Sequence, residues 1–588
     1  MPGPTPEGNL AGVLALLLRL LWLMVWVLLL PLHVIRRFAA RVPRGTYLVV
    51  EVDGAIAETP PAFRVWPPAA RRPFSLHDLT ALIDEAARDR RIRGLLVVIK
   101  SMRGGFGTAT SFRQALQTAR TKGKNVAVHL PYGGGTKEAY VGVVANRVIL
   151  GPQATWAPVG LLSSTRYVRG ALDRAGIVPE VHARGRYKTA AEPFEKTSMS
   201  EAQREQLGVL LDGLHAEILG AISSGRAIDE ARARSIIDNA PFVGEEAVLA
   251  GLADDVAYED EVPSRLADEG RSPCLRKADS YLRGRVALRP RALTSTGAIA
   301  VVRVHGTIVD AVDFPLRALA PSEGIIAAVR RARAHPLVRG VVLHVDSPGG
   351  SALASDRIHH ELALLAAQKP LVACMGDVAA SGGYYVSAAA HEIVAQPTTI
   401  TGSIGVIGAR FAIDPLLARL GVVTHVLQRG AHAKLQRPLL GLDEGDKGAI
   451  DREIERMYQA FLRVVAASRG RSVDEIKPFA EGRVWLGTDA HRHGLVDRLG
   501  GFDSALEVVR ARIGRGAARL RVVVVRSPRR TGPFFFEGTE PRAMRLVARA
   551  IETAARGLDF DASILALVRE TILTWCPSAA RLRTDGFT

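Results

Sequence analysis

A serine, two glycine turns and a lysine are the residues of this chain whose types and settings could support covalent chemistry. Ser381 stands in MGDVAASGGYY, after an apolar run ending near Met375 and before the helical stretch 384–390. A serine at a strand-to-helix turn is exposed, and the amides that open the helix favour negative charge developing beside it. Gly382 and Gly383 leave space for a peptide. The same residues also suit a plain small-residue turn in which Ser381 is only a helix cap. In HVDSPGGSALAS a glycine pair follows a second apolar run, where bare backbone N–H groups could hold an oxyanion. The candidate donors are the amides of Gly349, Gly350 and Gly382. A serine nucleophile needs a proton acceptor. Of the 15 histidines, His305, His344 and His391 sit in or beside strand-like runs, as structural residues do. Lys188, in GRYKTAAEPF, is the other candidate. A lysine is a base only when neutral, which requires desolvation or a nearby positive charge. At this point the base stays open between a histidine and Lys188.

The elements that must position these residues occur twice. Tyr140 and Pro152 recur 245 residues later as Tyr385 and Pro397. Each copy opens with a β-branched strand, TYLVVEVDG (46–54) and AIAVVRVHG (298–306). Second strands follow, GLLVVIKS (94–101) and GVVLHVDS (340–347), then third strands NVAVHL (125–130) and PLVACMG (370–376). Short continuous apolar runs alternating with helical stretches predict parallel sheets covered by helices. On the same offset Ser381 corresponds to Thr136 and Lys188 to Ala433; on an offset of 246, Gly349 and Gly350 correspond to Arg103 and Gly104. Each copy therefore carries part of one possible site.

The chain has 588 residues, 48% hydrophobic and 23% charged, a folded composition of several domains. Its net charge of +18 suits a membrane-proximal protein or simply an arginine-rich one. The lack of zinc spacing and of basic–aromatic interleaving argues against nucleic acid. Three scattered cysteines, Cys274, Cys374 and Cys576, exclude a disulfide framework and offer no metal pair. The apolar run Leu10–Leu32, interrupted by Arg19, is long enough to span a bilayer. Arg36, Arg37, Arg41 and Arg44 follow it, and the positive-inside rule alone would put the body in the cytoplasm. The expected organisation is an anchor at 1–44, a first α/β domain at 45–261, a linker at 262–296, a second domain at 297–512, and a tail at 513–588 with no counterpart in the first copy.

Together GRYKTAAEPF, VDSPGGS, GDVAASGGYY, TGSIGV and GRVWLGTDA…GLVD resemble the long, tandem-repeat form of the signal peptide peptidase A family, also called protease IV. The resemblance covers roughly 46–512 and the anchor. It implies two ClpP/crotonase-like β-α superhelix domains and a Ser–Lys dyad, with Ser381 as nucleophile from the second copy and Lys188 as general base from the first. It places Ser403, in TGSIGV, where the family has a serine that orients the lysine; Pro158 fills that slot in the first copy. It implies remnant signal peptides and other apolar peptides as substrates, no metal or cofactor, a homotetramer, and a single-pass anchor in the bacterial inner membrane with the body facing the periplasm. Single-copy relatives carry their lysine in a GAHK-like motif. This chain has GAHA at 430–433, with Lys434 one residue off as a weak rival. The other function classes weighed are a crotonase-like acyl-CoA enzyme, needing neither the dyad nor an anchor, and a catalytically silent membrane scaffold, expected to have lost one dyad member.

Overall fold

The opening strand of each copy, Thr46–Ala55 and Ala298–His305, lies inside a parallel sheet; its first half is apolar and packed on both faces, while Glu51, Asp53 and Ala55 at the far end of the first strand are exposed. The structure, a computed structural model, describes residues 42–60, 74–267, 272–286, 297–310, 319–437 and 439–525, with isolated positions between 24 and 31. The expected anchor thus falls almost wholly outside the described residues, as does the chain beyond Val525. Among the described residues one helix, Glu201–Arg226, is long and apolar enough to cross a membrane. It packs Ile218, Leu219 and Ile222 into the first core.

The first sheet runs, edge to edge, Leu275–Lys277, Thr46–Ala55, Ile92–Arg103, Asn125–Leu130, Arg147–Leu150 and Asp255–Val256, all parallel. The second repeats that order with Arg521–Val524, Ala298–His305, Val338–Ser347, Leu371–Ala380, Glu392–Ala395 and Arg498–Leu499. It adds Ile400–Gly402 beside the far half of Leu371–Ala380, and the antiparallel Val484–Leu486 beyond it. Helices such as Leu76–Arg88, started by a Ser75–Asp78 capping box, cover the sheets.

Two stretches differ from the sequence-based expectation. Residues 262–296, read as a linker, supply Leu275–Lys277 to the edge of the first sheet, followed by a helix at Ala278–Val286. Its partner in the second copy is Arg521–Val524, in the stretch read as a tail without counterpart, and it begins 246 residues later. The edge strand is three residues long and carries Arg276 and Lys277, so it shows neither an apolar run nor alternation.

The two repeats grip one another through polar contacts. The strand Leu371–Ala380 is irregular against its neighbour: Val345 pairs with Met375 but Ser347 with Ala379. This bulge sends Asp377 into the first repeat. There its carboxylate accepts the N–H groups of Gly105 and Thr108, both at 2.6 Å, at the start of the helix Phe106–Thr121. Gly107 packs so closely on Gly376 that a Cβ would come within 2.8 Å of its carbonyl oxygen. Thr110 meets Thr398 at 2.7 Å, and Gln396 donates to Ser111 and Gln114. Finally, Val178–Arg184 of the first repeat pairs antiparallel with Val406–Ala412 of the second. The dyad candidates lie just outside this ribbon.

Candidate active site

Ser381 closes the strand Leu371–Ala380 and precedes the short helix Gly382–Ser387, with φ +53° and ψ −119°. Such a conformation is costly for a non-glycine residue. It is held by the Ser381 N–H donating to Gly402 O at 2.8 Å and by Tyr385 N–H donating to Ser381 O at 2.9 Å. Gly382 and Gly383 cannot carry side chains here. A Cβ on Gly382 would strike Ser355 Oγ, and one on Gly383 would lie 2.6 Å from Ser347 O.

Lys188 follows the ribbon strand Val178–Arg184 and enters from the first repeat. Its Nζ stands 3.1 Å from Ser381 Oγ, 2.9 Å from Ser403 Oγ and 3.0 Å from Ser403 O. The residue keeps some exposure along its stem, while its amine is the enclosed end. Burial pushes that amine down to about 7, and no carboxylate opposes the shift. Near neutral pH a large fraction of Lys188 is therefore the free amine, able to accept a proton from Ser381.

Four non-glycine residues have positive φ among the described residues. Three of them, Ser381, Ser403 (+52°) and Glu481 (+50°), surround this lysine; the fourth, Ala227, caps a helix. Backbone strain concentrated in this way marks a site whose geometry the surrounding fold imposes. Glu481 and Gly482 form the wall behind Lys188. Glu481 O accepts Tyr187 N–H at 2.8 Å, and a Cβ on Gly482 would lie 2.6 Å from Lys188 N and 2.7 Å from its Cβ. Arg483 sits over the rings of Tyr187 and Trp485 at 4.7 and 4.6 Å, and Ser403 N–H donates to its carbonyl at 2.7 Å. Sequence reasoning missed this clamp. Its signal was the GRVW segment, legible as a motif but not as the seat of a lysine nearly 300 positions earlier in the chain.

The glycine turn lies against Ser381, as its position suggested. A Cβ on Gly349 (φ +103°) would be 2.7 Å from Gly382 N and 2.8 Å from Ser381 Cβ. Its N–H, however, already donates to Ser347 Oγ at 3.1 Å. Gly350 (φ +147°) forms a bridge with Ile308.

The rival residues are engaged elsewhere. Thr136 Oγ1 donates to Gly160 O, and Lys137 Nζ to Gly104 O. The glycine turn of the first copy holds the Asp377 carboxylate, as described above. Lys434 pairs with Asp443 at 3.2 Å. His344 bridges His305 and Glu58 at 2.7 and 2.6 Å across the repeat boundary, and burial beside His344 holds His305 well below the usual histidine range. His391 bonds the backbone of Leu371. Glu58, His344 and Cys374 are close enough to hold a metal ion, but His344 has both ring nitrogens in these hydrogen bonds.

Comparison with known proteins places this chain in a family. The profile of peptidase family S49 matches twice, at residues 118–271 and 363–514. A chloroplastic serine protease SPPA of Arabidopsis thaliana is 32% identical over 483 residues, 80% of this chain and 69% of that one. Protease 4 of Salmonella typhi is 32% identical, covering 78% of this chain and 77% of its own length. Protease 4 of Haemophilus influenzae is 29% identical with 78% of each chain covered. The chain belongs to peptidase family S49 and is a serine peptidase that carries the family's unit twice.

Proposed function

We propose that Ser381 and Lys188 form the catalytic dyad of this peptidase and that Ser403 positions the lysine. The observation that carries the reading is the 3.1 Å contact between Ser381 Oγ and an amine that burial holds near neutrality. Ser381 Oγ attacks the scissile carbonyl while Lys188 Nζ takes its proton. The tetrahedral oxyanion collapses, the C–N bond breaks, and the Lys188 ammonium returns the proton to the leaving amine. Water, deprotonated by the same amine, then cleaves the acyl-Ser381 ester and regenerates the hydroxyl. The amides of Gly350 and Gly382 are the preferred oxyanion donors, because that of Gly349 is engaged with Ser347. Gly349 contributes the close approach of the turn.

We take the two units for ClpP/crotonase-like superhelices, a reading supported by their repeated strand order. Remnant signal peptides and other apolar peptides are the proposed substrates. A related protein of Enterococcus faecium, 32% identical over 36% of this chain, bears the name putative signal peptide peptidase. The apolar run 10–32 supports a single-pass anchor. A homotetramer and a periplasm-facing body complete the proposal, on the strength of the family resemblance. Hydrolysis of an apolar peptide by wild type, Ser381→Ala and Lys188→Ala tests the dyad. Both variants should lose at least about 10³-fold in kcat, as expected for a nucleophile and its base. Either one retaining wild-type rate refutes the assignment.

A further inference from the structure

Lys188 and Ser403 are held by one short segment of the second repeat, 481–485, and the first repeat holds that segment in turn. Toward the dyad, Glu481 accepts Arg186 N–H at its carboxylate, 3.1 Å away, and Tyr187 N–H at its carbonyl, 2.8 Å away. Two residues on, the Arg483 carbonyl accepts Ser403 N–H at 2.7 Å. On the other side stands the helix Glu201–Arg226 of the first repeat. Its buried Gln206 accepts Val484 N–H at 3.0 Å, and its Glu205 pairs with the Arg483 guanidinium at 3.1 Å.

The Arg483 side chain closes a ring of contacts. Its guanidinium lies over Tyr187 at 4.7 Å and over Trp485 at 4.6 Å, and Tyr187 OH donates to the Glu205 carboxylate at 2.9 Å. Glu205 is 39% exposed, so its ion pair with Arg483 is screened and weak by itself. The stack supplies the direction, because a planar guanidinium caught between two rings and a carboxylate keeps little freedom. The set is absent at the corresponding positions of the other copies. Phe242 pairs with Trp156 as Trp485 pairs with Thr401, which puts Ala240 in the place of Arg483. The helices Glu201–Arg226 and Glu444–Arg469 have 26 residues each behind a side-chain cap, which puts Gly448 and Ala449 in the places of Glu205 and Gln206. His432 stands in the place of Tyr187 and bonds Asp446 instead. These residues are thus lost together with the lysine, whose slot there is Ala433.

We propose that Arg483, seated by Glu205 and Tyr187, is a positioning residue that sets Lys188 and Ser403 at the spacing the dyad requires. The inference rests on the proposed dyad and adds the device that aligns its lysine across the repeat boundary. Tyr187 adjoins Lys188 in the chain and the Arg483 carbonyl carries Ser403, so the Arg483 side chain ties together two groups whose Nζ–Oγ separation is 2.9 Å. Proton transfer needs the amine within hydrogen-bond reach of Ser381 Oγ, and a misplacement of about 1 Å can cost about 10²-fold in rate.

The experiment uses the full chain in detergent, with steady-state cleavage of an apolar peptide and the rate of Ser381 labelling by a fluorophosphonate as readouts. Arg483→Ala should lose about 10- to 100-fold in kcat with KM within about twofold, and labelling should slow by the same factor. Arg483→Lys keeps the charge but not the plane and should stay within about threefold of Arg483→Ala. Tyr187→Phe and Glu205→Gln, which perturb one contact each, should lower kcat about 2- to 10-fold. Added to Lys188→Met, Arg483→Ala should slow labelling no further, because its effect passes through the lysine. Wild-type rates in Arg483→Ala, with Lys188→Met slow, overturn the positioning role and leave the dyad standing. Equal slowing by Arg483→Ala with and without Lys188 assigns the residue to the fold and overturns the inference as well. Labelling of Lys188→Met at the wild-type rate removes the dyad and this inference with it. Should Arg483→Ala not fold, wild-type kcat in both Tyr187→Phe and Glu205→Gln overturns the proposal in its place.

Discussion

If the proposed dyad holds, the pH dependence of peptide cleavage reads the state of Lys188 directly. With its amine near 7, Lys188 is neutral in about 10% of molecules at pH 6 and about 90% at pH 8. A lysine of ordinary pKa would be neutral in well under about 1% at pH 8. On this account kcat/KM for a peptide without ionising groups rises about tenfold from pH 6 to 8 and is level from 8 to 9.5. The same burial enters stability with a definite sign. The folded-state pKa lies below the unfolded value of 10.5, so between about 7 and 10.5 the unfolded chain binds more protons and stability rises with pH. Lys188→Met removes this desolvation penalty. At about 1.36 kcal/mol per pH unit, the gain below pH 7 is at most about 5 kcal/mol, lessened by the partial exposure of the residue, and it disappears above about pH 10.5. Thermal unfolding of wild type and Lys188→Met at pH 6.5 and 10 reads the difference. A rate that keeps climbing tenfold per pH unit beyond pH 9, together with no gain for Lys188→Met at pH 6.5, would refute a buried neutral amine.

Four other substitutions test how the site and the contact between the repeats are held. Ser403→Ala removes a 2.9 Å partner of Lys188 Nζ; kcat should fall about 5- to 30-fold, from the loss of about 1–2 kcal/mol, with KM nearly unchanged in steady-state assays. Gly482→Ala puts a methyl against Lys188 at positive φ and should lower both kcat and melting temperature, costing about 2–4 kcal/mol. Gly123→Ala, at φ +76° in open space, should cost only about 1–2 kcal/mol and leave kcat intact. Asp377→Ala strips two short hydrogen bonds from the helix Phe106–Thr121. Calorimetry should show a loss of about 3 kcal/mol, and preserved stability would mean that the repeats dock without this contact.

Much of the site was legible because its parts are local. Ser381 sits between an apolar strand and a glycine pair, and the offset between copies exposed Thr136 and Ala433 as substitutions at the positions of the proposed dyad. Pairing Ser381 with Lys188 needed the resemblance, since nothing in GRYKTAAEPF alone tells a buried amine from a solvated one. What stayed hidden is long-range or short in sequence. Leu275–Lys277 is an edge strand too brief and too charged to show a pattern. Asp377 looks like an ordinary residue of GDVAAS, and only the bulge in its strand turns it toward the first repeat. Glu481 and Gly482 could be placed in a motif but not behind Lys188, because that contact exists only once both repeats are folded together.

The central claim is that one nucleophile, supplied by the second repeat, is activated by one amine from the first. Its most direct test is to treat the purified chain with a serine-reactive fluorophosphonate and map the adduct by mass spectrometry. The account predicts a single adduct on the peptide containing Ser381, absent in Ser381→Ala and formed at least about 10²-fold more slowly in Lys188→Met. An adduct on Thr136 or on another serine, or labelling of Lys188→Met at the wild-type rate, would contradict it.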